Sequence, residues 1–439
     1  MNKHYIPLLK LGGPIIVGQL GMIIQGIADS VMIGHYGSPS LSAAGFINHI
    51  MNLAIIFGMG FSYGLTPVIG RLFGNREYKG MATTLKSGIY ANISVAILTV
   101  ASLSILYFNI ERLGQPEELI PLMKPYFLTL VISVPFMQLF YAYKQFADGT
   151  TDTRTPRWIM LGGNIVNIAG NYILIFGKCG APGLGLLGAG ISTLFSRILM
   201  WLSLRTIVSG SGRYTALFRT SGKIRFSLKD FKLLNRLGWP IALQMGMETA
   251  AFSLSALMMG WIGATALAAN QILCSVSTLC FMVYYGLGAA VTIRESHFHG
   301  QNDIRNVRNT AFAGFHLILI FAALMSLLIF LFRKNIGELF TDDGEILELV
   351  AVLIIPFLAY QLGDGLQCCF ANALRGIEDV GIMMRYAFIA YILISLPLSY
   401  IFAFVFHLGA LGIWMGYPFG LTSAGILFLS RFIRQTKKK

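Results

Sequence analysis

Residues 11–43 read LGGPIIVGQLGMIIQGIADSVMIGHYGSPSLSA, an apolar run about as long as a bilayer is thick. Pro14 opens it and one carboxylic acid, Asp29, interrupts it. A charged side chain near the hydrocarbon centre costs roughly 2.5–3.5 kcal/mol on insertion scales. Asp29 therefore needs a partner, a proton or a use. The stretch returns 226 residues later, at 237–269, as LGWPIALQMGMETAAFSLSALMMGWIGATALAA. Leu11, Gly12, Pro14 and Ile15 become Leu237, Gly238, Pro240 and Ile241. The register holds without a gap through Thr66/Thr292, Gly74/Gly300, Gly88/Gly314 and Asn109/Asn335. The chain is a tandem duplication.

Working outward, a mean hydropathy of +0.68 with 12% charged residues lies far from soluble domains, which carry about 25% charge. Twelve apolar spans are expected, at 14–35, 43–70, 87–108, 122–146, 158–177, 185–207, 237–261, 264–293, 310–332, 346–374, 383–406 and 410–432. The first is too long for a signal-peptide core and no small-residue cleavage site follows it, so it is expected to stay as a membrane helix. Six spans per half make both halves enter from the same side, a parallel repeat about an axis along the membrane normal. The expected fold is all-α and polytopic: twelve transmembrane helices in two pseudo-symmetric six-helix bundles, 1–208 and 237–439, joined by a basic linker, 209–236.

The net charge of +14 suggests nucleic acid until its placement is read. With both termini cytoplasmic, only Arg112, Lys124, Lys178, Arg333 and Lys334 of the 33 Lys and Arg fall on the opposite side. That is the positive-inside pattern of a membrane protein, and no nucleic-acid partner is expected. The basic linker either lies on anionic headgroups as a short amphipathic helix carrying Phe226, Leu228, Phe231 and Leu234, or is a solvated connection. Five cysteines without CxxC spacing give neither a disulfide framework nor a zinc site, and Cys368-Cys369 read as small core residues. In the loops after spans 4 and 10, ADGTTDTRTP (147–156) echoes LRGIEDVG (374–381), and Asp152 and Asp379 are expected to cap the helices that follow. Pro14, Pro67, Pro135, Pro240, Pro356 and Pro397 fall inside spans and favour kinks.

Only Asp29, Glu248 and Asp364 of the nineteen acids sit well inside these spans, and no Lys or Arg is expected at their depth. Each has a polar side chain one helical turn earlier: Gln25, Gln244 and Tyr360. Span 5 adds the pair Asn167 and Asn171. Oxygen-bearing groups without a fixed countercharge suit a monovalent cation, a proton or a cationic organic substrate. The plainer alternative is a protonated acid bonded to a neighbouring helix, and for the asparagines ordinary interhelical contact. No phosphate-binding GxxxxGK[ST], HExxH, GxSxG or GxGxxG motif is present, so the chain reads as neither an ATPase nor an enzyme. Without a nucleotide-binding domain, transport is expected to run on an ion gradient.

The runs PIIVGQLGMIIQGIADSVMIGHYG (14–37), WPIALQMGMETA (239–250), GGNIVNIAGNYILIFG (162–177), YQLGDGLQCCFANALRGIED (360–379) and GALGIWMGYPFG (409–420) resemble the multidrug and toxic compound extrusion (MATE) family, NorM-type branch, over nearly the whole chain. The resemblance implies two bundles around a central cavity, and export of amphiphilic cationic compounds in exchange for Na⁺ or H⁺ by alternating access. It implies no cofactor beyond the coupling ion. Matched position by position, Glu248, Tyr360 and Asp364 correspond to a cation site of the C-terminal bundle, with Na⁺ placed at Glu248 and Asp364. Asp29, Asn167, Asn171 and Thr193 correspond to the polar site of the N-terminal bundle, where Asn171 replaces an aspartate of relatives. Gln271 joins Gln25 and Gln244 as cavity-lining candidates. Met- and aromatic-rich faces of spans 1, 2, 7, 8 and 10 would form adaptable substrate walls. A lipid- or glycan-linked flippase is the alternative within transport, and a membrane-embedded enzyme the alternative outside it. The expected setting is a bacterial cytoplasmic membrane, with the bilayer and small cationic molecules as partners and the chain a monomer.

Overall fold

The computed structural model describes residues 2–212, 214 and 225–437, so residues 213 and 215–224 of the expected linker lie outside the described residues. The long elements are all helical: α1 (Asn2–Tyr36), α2 (Ser38–Ser62), α3 (Leu65–Gly74), α4 (Tyr78–Phe108), α5 (Ile120–Gly149), α6 (Arg154–Phe176) and α7 (Leu186–Gly210). They continue as α8 (Leu228–Ile262), α9 (Ala264–Gly300), α10 (Ile304–Leu331), α11 (Gly344–Gly376), α12 (Met383–Ala387), α13 (Leu396–Tyr400) and α14 (Gly409–Lys437). Among the described residues twelve helical segments are long and apolar enough to cross a bilayer, one for each expected span. A bilayer has no water to satisfy backbone groups, which is why the chain spans it as helices.

Several helices overrun the spans read from hydropathy. α1 starts at Asn2, α8 at Leu228, and α9 runs on to Gly300. A hydropathy window ends where polar residues begin, but backbone hydrogen bonding does not. The segment expected as a separate interfacial helix is instead the start of α8 from Leu228 onward. Leu234 is buried, and Phe226 meets Tyr90 edge-to-face with ring centroids 5.4 Å apart. The second span breaks into α2 and α3 at Tyr63–Gly64, so Pro67 falls in the first turn of α3, where its missing N–H costs little. Around Pro397 the backbone turns to π-helix, at Phe388–Ser395 and Ile401–Val405, with α13 between. A wider turn relieves the clash of the proline ring with the preceding carbonyls.

The chain forms two compact units, Val17–Ala242, and Met1–Ile16 with Leu243–Lys439. The changes of unit fall two residues after Pro14 and Pro240, which are repeat-equivalent. In the first unit α5 packs against α2, α3, α4 and α7, and α6 lies on α7. In the second, α11 packs against α9, α10 and α14. Lipid tails are as apolar as leucine, so these helices associate through close packing and hydrogen bonds rather than by escaping water. Each unit repeats one such contact. Thr66 Oγ1 donates to Gln145 Oε1 at 2.7 Å, and Thr292 Oγ1 donates to the Asn372 carbonyl at 2.7 Å. Gly149 and Gly376 let the helices meet beside these bonds. A Cβ on Gly149 would stand 2.8 Å from Ile69, and one on Gly376 2.7 Å from Glu295.

Candidate functional site

In the Val17–Ala242 unit, α1, α6 and α7 bring Gln25, Asp29, Asn167, Asn171 and Thr193 together. Asp29 and Gln25 share a face of α1 one turn apart, and Asn167 and Asn171 do the same on α6. Asn171 Nδ2 donates to Asp29 Oδ1 at 2.6 Å. Asn167 stands between Gln25 at 3.0 Å and Thr193 at 3.2 Å. Turned to the orientation its surroundings favour, its nitrogen also donates to Asp29 Oδ1 at 2.8 Å. Both asparagines are fully buried, and Asn171 Oδ1 has no hydrogen-bond partner among the described residues. One carboxylate held by amides, with an acceptor to spare, can take up a proton or a small cation.

In the other unit α8, α9 and α11 assemble the second cluster. Glu248 accepts from Gln244 Nε2 at 3.0 Å on one oxygen and from Gln367 Nε2 at 2.9 Å on the other. Asp364 is 1% exposed, and its Oδ2 has no hydrogen-bond partner among the described residues. The Tyr360 hydroxyl pairs with Ser277 Oγ at 2.8 Å. The Tyr360 ring stacks on Phe357 at 5.7 Å and meets Trp414 at 5.8 Å and Tyr417 at 6.2 Å. Asp364 and Tyr360 thus sit on one turn of α11 against an aromatic wall. Gln271 does not join them. It is exposed on α9, and its backbone carbonyl accepts from Ser275.

One expectation fails: each cluster has a buried or half-buried arginine beside it. Arg197 on α7 donates to Ser133 Oγ at 2.6 Å and lines one cavity with Gln25, the residue one turn before Asp29. Arg375, at the end of α11, is 5% exposed and donates to Gln244 Oε1 at 2.7 Å. Gln244 therefore bridges Arg375 to Glu248. Among the described residues neither arginine makes a direct ion pair with the acid, which leaves the carboxylates open to a mobile cation. Sequence reading missed them because Arg197 was absorbed by an apolar span and Arg375 fell just past the end of one.

Two further acids are buried within the helices as they fold. Asp148 pairs with Lys144 at 2.7 Å, both nearly buried, and Glu295 is wholly buried. The loop acids divide. Asp152 accepts from the Thr155 N–H at 3.2 Å at the start of α6, as expected of a cap. Asp379 instead takes two bonds from Arg431, at 2.6 and 3.1 Å. The next helix, α12, starts only at Met383, which puts its first N–H groups out of a cap's register. Methionines of spans 4 to 6 were not foreseen. Met137, Met160 and Met200 line a cavity of about 50 Å³ with Met22, Gln25 and Arg197. Among the described residues no three His, Cys, Asp or Glu come together as a metal-binding cluster.

The MatE family model matches residues 14–173 and 240–401, once in each half of the chain. The multidrug resistance protein MdtK of Photorhabdus laumondii subsp. laumondii is 30% identical over 100% of this chain and 96% of its own length. The multidrug resistance protein NorM of Vibrio cholerae is 30% identical over 98% of this chain and 95% of its own. Among solved structures, the Vibrio cholerae MATE transporter VcmN in its bent form superposes with a TM-score of 0.89 at 17% identity, covering 100% of this chain and 98% of that one. The eukaryotic MATE transporter AtDTX14 gives 0.87 at 18% identity, over 99% and 98%.

Proposed function

The chain belongs to the MATE family of transporters, and from that premise we propose that it exports amphiphilic cationic compounds in exchange for Na⁺ or H⁺. It is a multi-pass membrane transporter and not an enzyme. The carrying observation is that, among the described residues, each unit holds a carboxylate bonded to amides and not to a cation: Asp29 to Asn171, Glu248 to Gln244 and Gln367. Empty, such a site attracts a cationic drug. Occupied by Na⁺ or a proton, it no longer does, and the helices settle into a different packing. A switch from 1:99 to 99:1 takes about 5.5 kcal/mol of differential binding, within reach of one ion in a site of low dielectric. Glu248, Tyr360 and Asp364 form the C-terminal coupling site in this reading, with Na⁺ held by Glu248 and Asp364. Asp29, Asn167, Asn171 and Thr193 form the N-terminal one, and Gln25, Gln244 and Gln271 adjoin the substrate path. The halves 1–208 and 237–439 act as the two repeats, with 209–236 as cytoplasmic linker. The chain works as a monomer in a bacterial inner membrane, both termini cytoplasmic.

The test is flux of a fluorescent cation in proteoliposomes, under an imposed Na⁺ gradient in one arm and an imposed pH gradient in the other. Asp29→Asn and Asp364→Asn are each expected to cut the flux at least tenfold. Flux unchanged in both defeats the mechanism. A second reading, carriage of lipid- or glycan-linked diphosphates, gains one observation: Arg197 lines the methionine-walled cavity. One guanidinium already bonded to Ser133 is little to hold a diphosphate. Competition by a diphosphate lipid, stronger than by any cation, would favour that reading.

A further inference from the structure

Glu295 lies inside α9, and none of its surface is exposed. Neither carboxylate oxygen has a hydrogen-bond partner among the described residues. Its slot is formed against α11, where a Cβ added to Gly376 would stand 2.7 Å from Oε2. Cys369 on α11 is fully buried, with its sulfur against the Ala311 carbonyl. Among the described residues, no other charged or titratable group on the packed helices bonds to it. On α9 itself, Arg294 lies over the Phe298 ring at 5.3 Å, and His297 and His299 are in the last turn. On α11, Arg375 donates to Gln244 and Asn372, and Asp364 lies with the Tyr360 wall. On α10, His316 pairs with Tyr5 and Thr310 with His4, while Arg305 and Arg308 are in its first turns.

The duplication supplies an internal control. In the 226-residue register Glu295 answers Ile69. Ile69 fills the same slot in its own unit, against Gly149 and the Thr66 carbonyl, as Glu295 does against Gly376 and the Thr292 carbonyl. A branched hydrocarbon therefore satisfies this position in one copy. The other copy holds an acid that packing does not require. An unpaired carboxylate in such surroundings is far costlier than the neutral acid, so Glu295 holds its proton while the slot is closed.

We propose that Glu295 is a proton-binding site of its unit, separate from the Glu248–Asp364 cluster, which takes up one proton as the slot against Gly376 closes and gives it to water when α9 and α11 part there. The O–H bond forms with a proton from water on closing and breaks to carboxylate and hydrated proton on opening, so no other reactant is needed. The proposal deepens the exporter reading and rests on it for its use in transport.

Glu295→Gln, which imitates the protonated acid, and Glu295→Ile, which copies the other half, both suit the slot and should fold. In proteoliposomes with an entrapped pH dye and a fluorescent cation under a pH gradient, protons moved per substrate are expected to fall by one in both variants. Glu295→Asp should restore part of the loss. Difference infrared spectra of the purified protein should show a protonated-carboxyl band that titrates in the wild type and is missing in Glu295→Gln. Equal proton counts and pH profiles in wild type and Glu295→Gln overturn the proposal. So does a Glu295 carboxyl band unchanged from acid to alkaline pH with and without substrate. If wild-type vesicles move no cation under any gradient, the exporter reading falls instead, and the infrared arm alone decides the proton site.

Discussion

Arg375 sets how tightly the C-terminal cluster can hold a cation, and Arg375→Gln measures it. The guanidinium reaches Gln244 Oε1 at 2.7 Å, and Gln244 Nε2 reaches Glu248 Oε2 at 3.0 Å. With one amide between them, the positive charge stands roughly 8 Å from a cation bound at Glu248, which at an effective dielectric near 20 is a repulsion of about 2 kcal/mol. Glutamine removes the charge and keeps a donor for Gln244. Cation affinity should therefore rise about 30-fold, since 1.4 kcal/mol is a factor of ten. Flux should fall, because an ion held that much harder leaves more slowly. Losing charged-donor bonds to Gln244 and Asn372 costs stability of about 1.5–3 kcal/mol, partly recovered by the new amide. Trp414, 5.8 Å from the Tyr360 ring, is a built-in reporter for a Na⁺ titration by tryptophan fluorescence. Thermal melting of the same sample verifies folding, and Glu248→Gln serves as the background in which the gain must vanish. A folded Arg375→Gln protein with unchanged or weaker cation affinity refutes the reasoning.

The N-terminal cluster makes the opposite kind of prediction. Asn171→Asp sets a second carboxylate against Asp29, where the amide now sits at 2.6 Å. Two such acids cannot both stay ionised without a shared cation or proton, so cation flux should become strongly Na⁺-dependent. Flux with the same Na⁺ dependence as wild type means that this cluster does not hold the ion. At the start of α10, Asp303 accepts from the Asn306 N–H at 3.0 Å, and that bond holds its carboxyl below the usual carboxylate range. Asp303→Ala should cost about 0.5–2 kcal/mol of stability, as for other lost helix caps. Because the folded carboxyl is the stronger acid, the contribution is full above the ordinary aspartate range and fades as pH drops through the depressed value. Melting curves of wild type and variant should converge in acid; a gap that persists there counts against the cap.

The duplication, the twelve spans and most of both clusters were legible in the chain alone. Repeat register, apolar length and i, i+4 spacing are one-dimensional properties, and helical geometry turns them directly into faces. Gln25 with Asp29, Gln244 with Glu248, and Asn167 with Asn171 were identifiable for that reason. Which charge a site keeps beside it was not legible, because that depends on how neighbouring helices are rotated. Arg197 looked like one cation diluted in an apolar window, and Arg375 like a loop residue. Folding puts the first on the cavity that Gln25 lines and the second one amide from Glu248. Asp152 and Asp379 share a repeat position, yet only the tertiary structure gives one to a helix start and the other to Arg431. Glu295 shows the limit most plainly. Sequence pairs it with Ile69, but only the close approach of Gly376 reveals that both fill one slot, and that one of them does so with a group hydrocarbon surroundings disfavour.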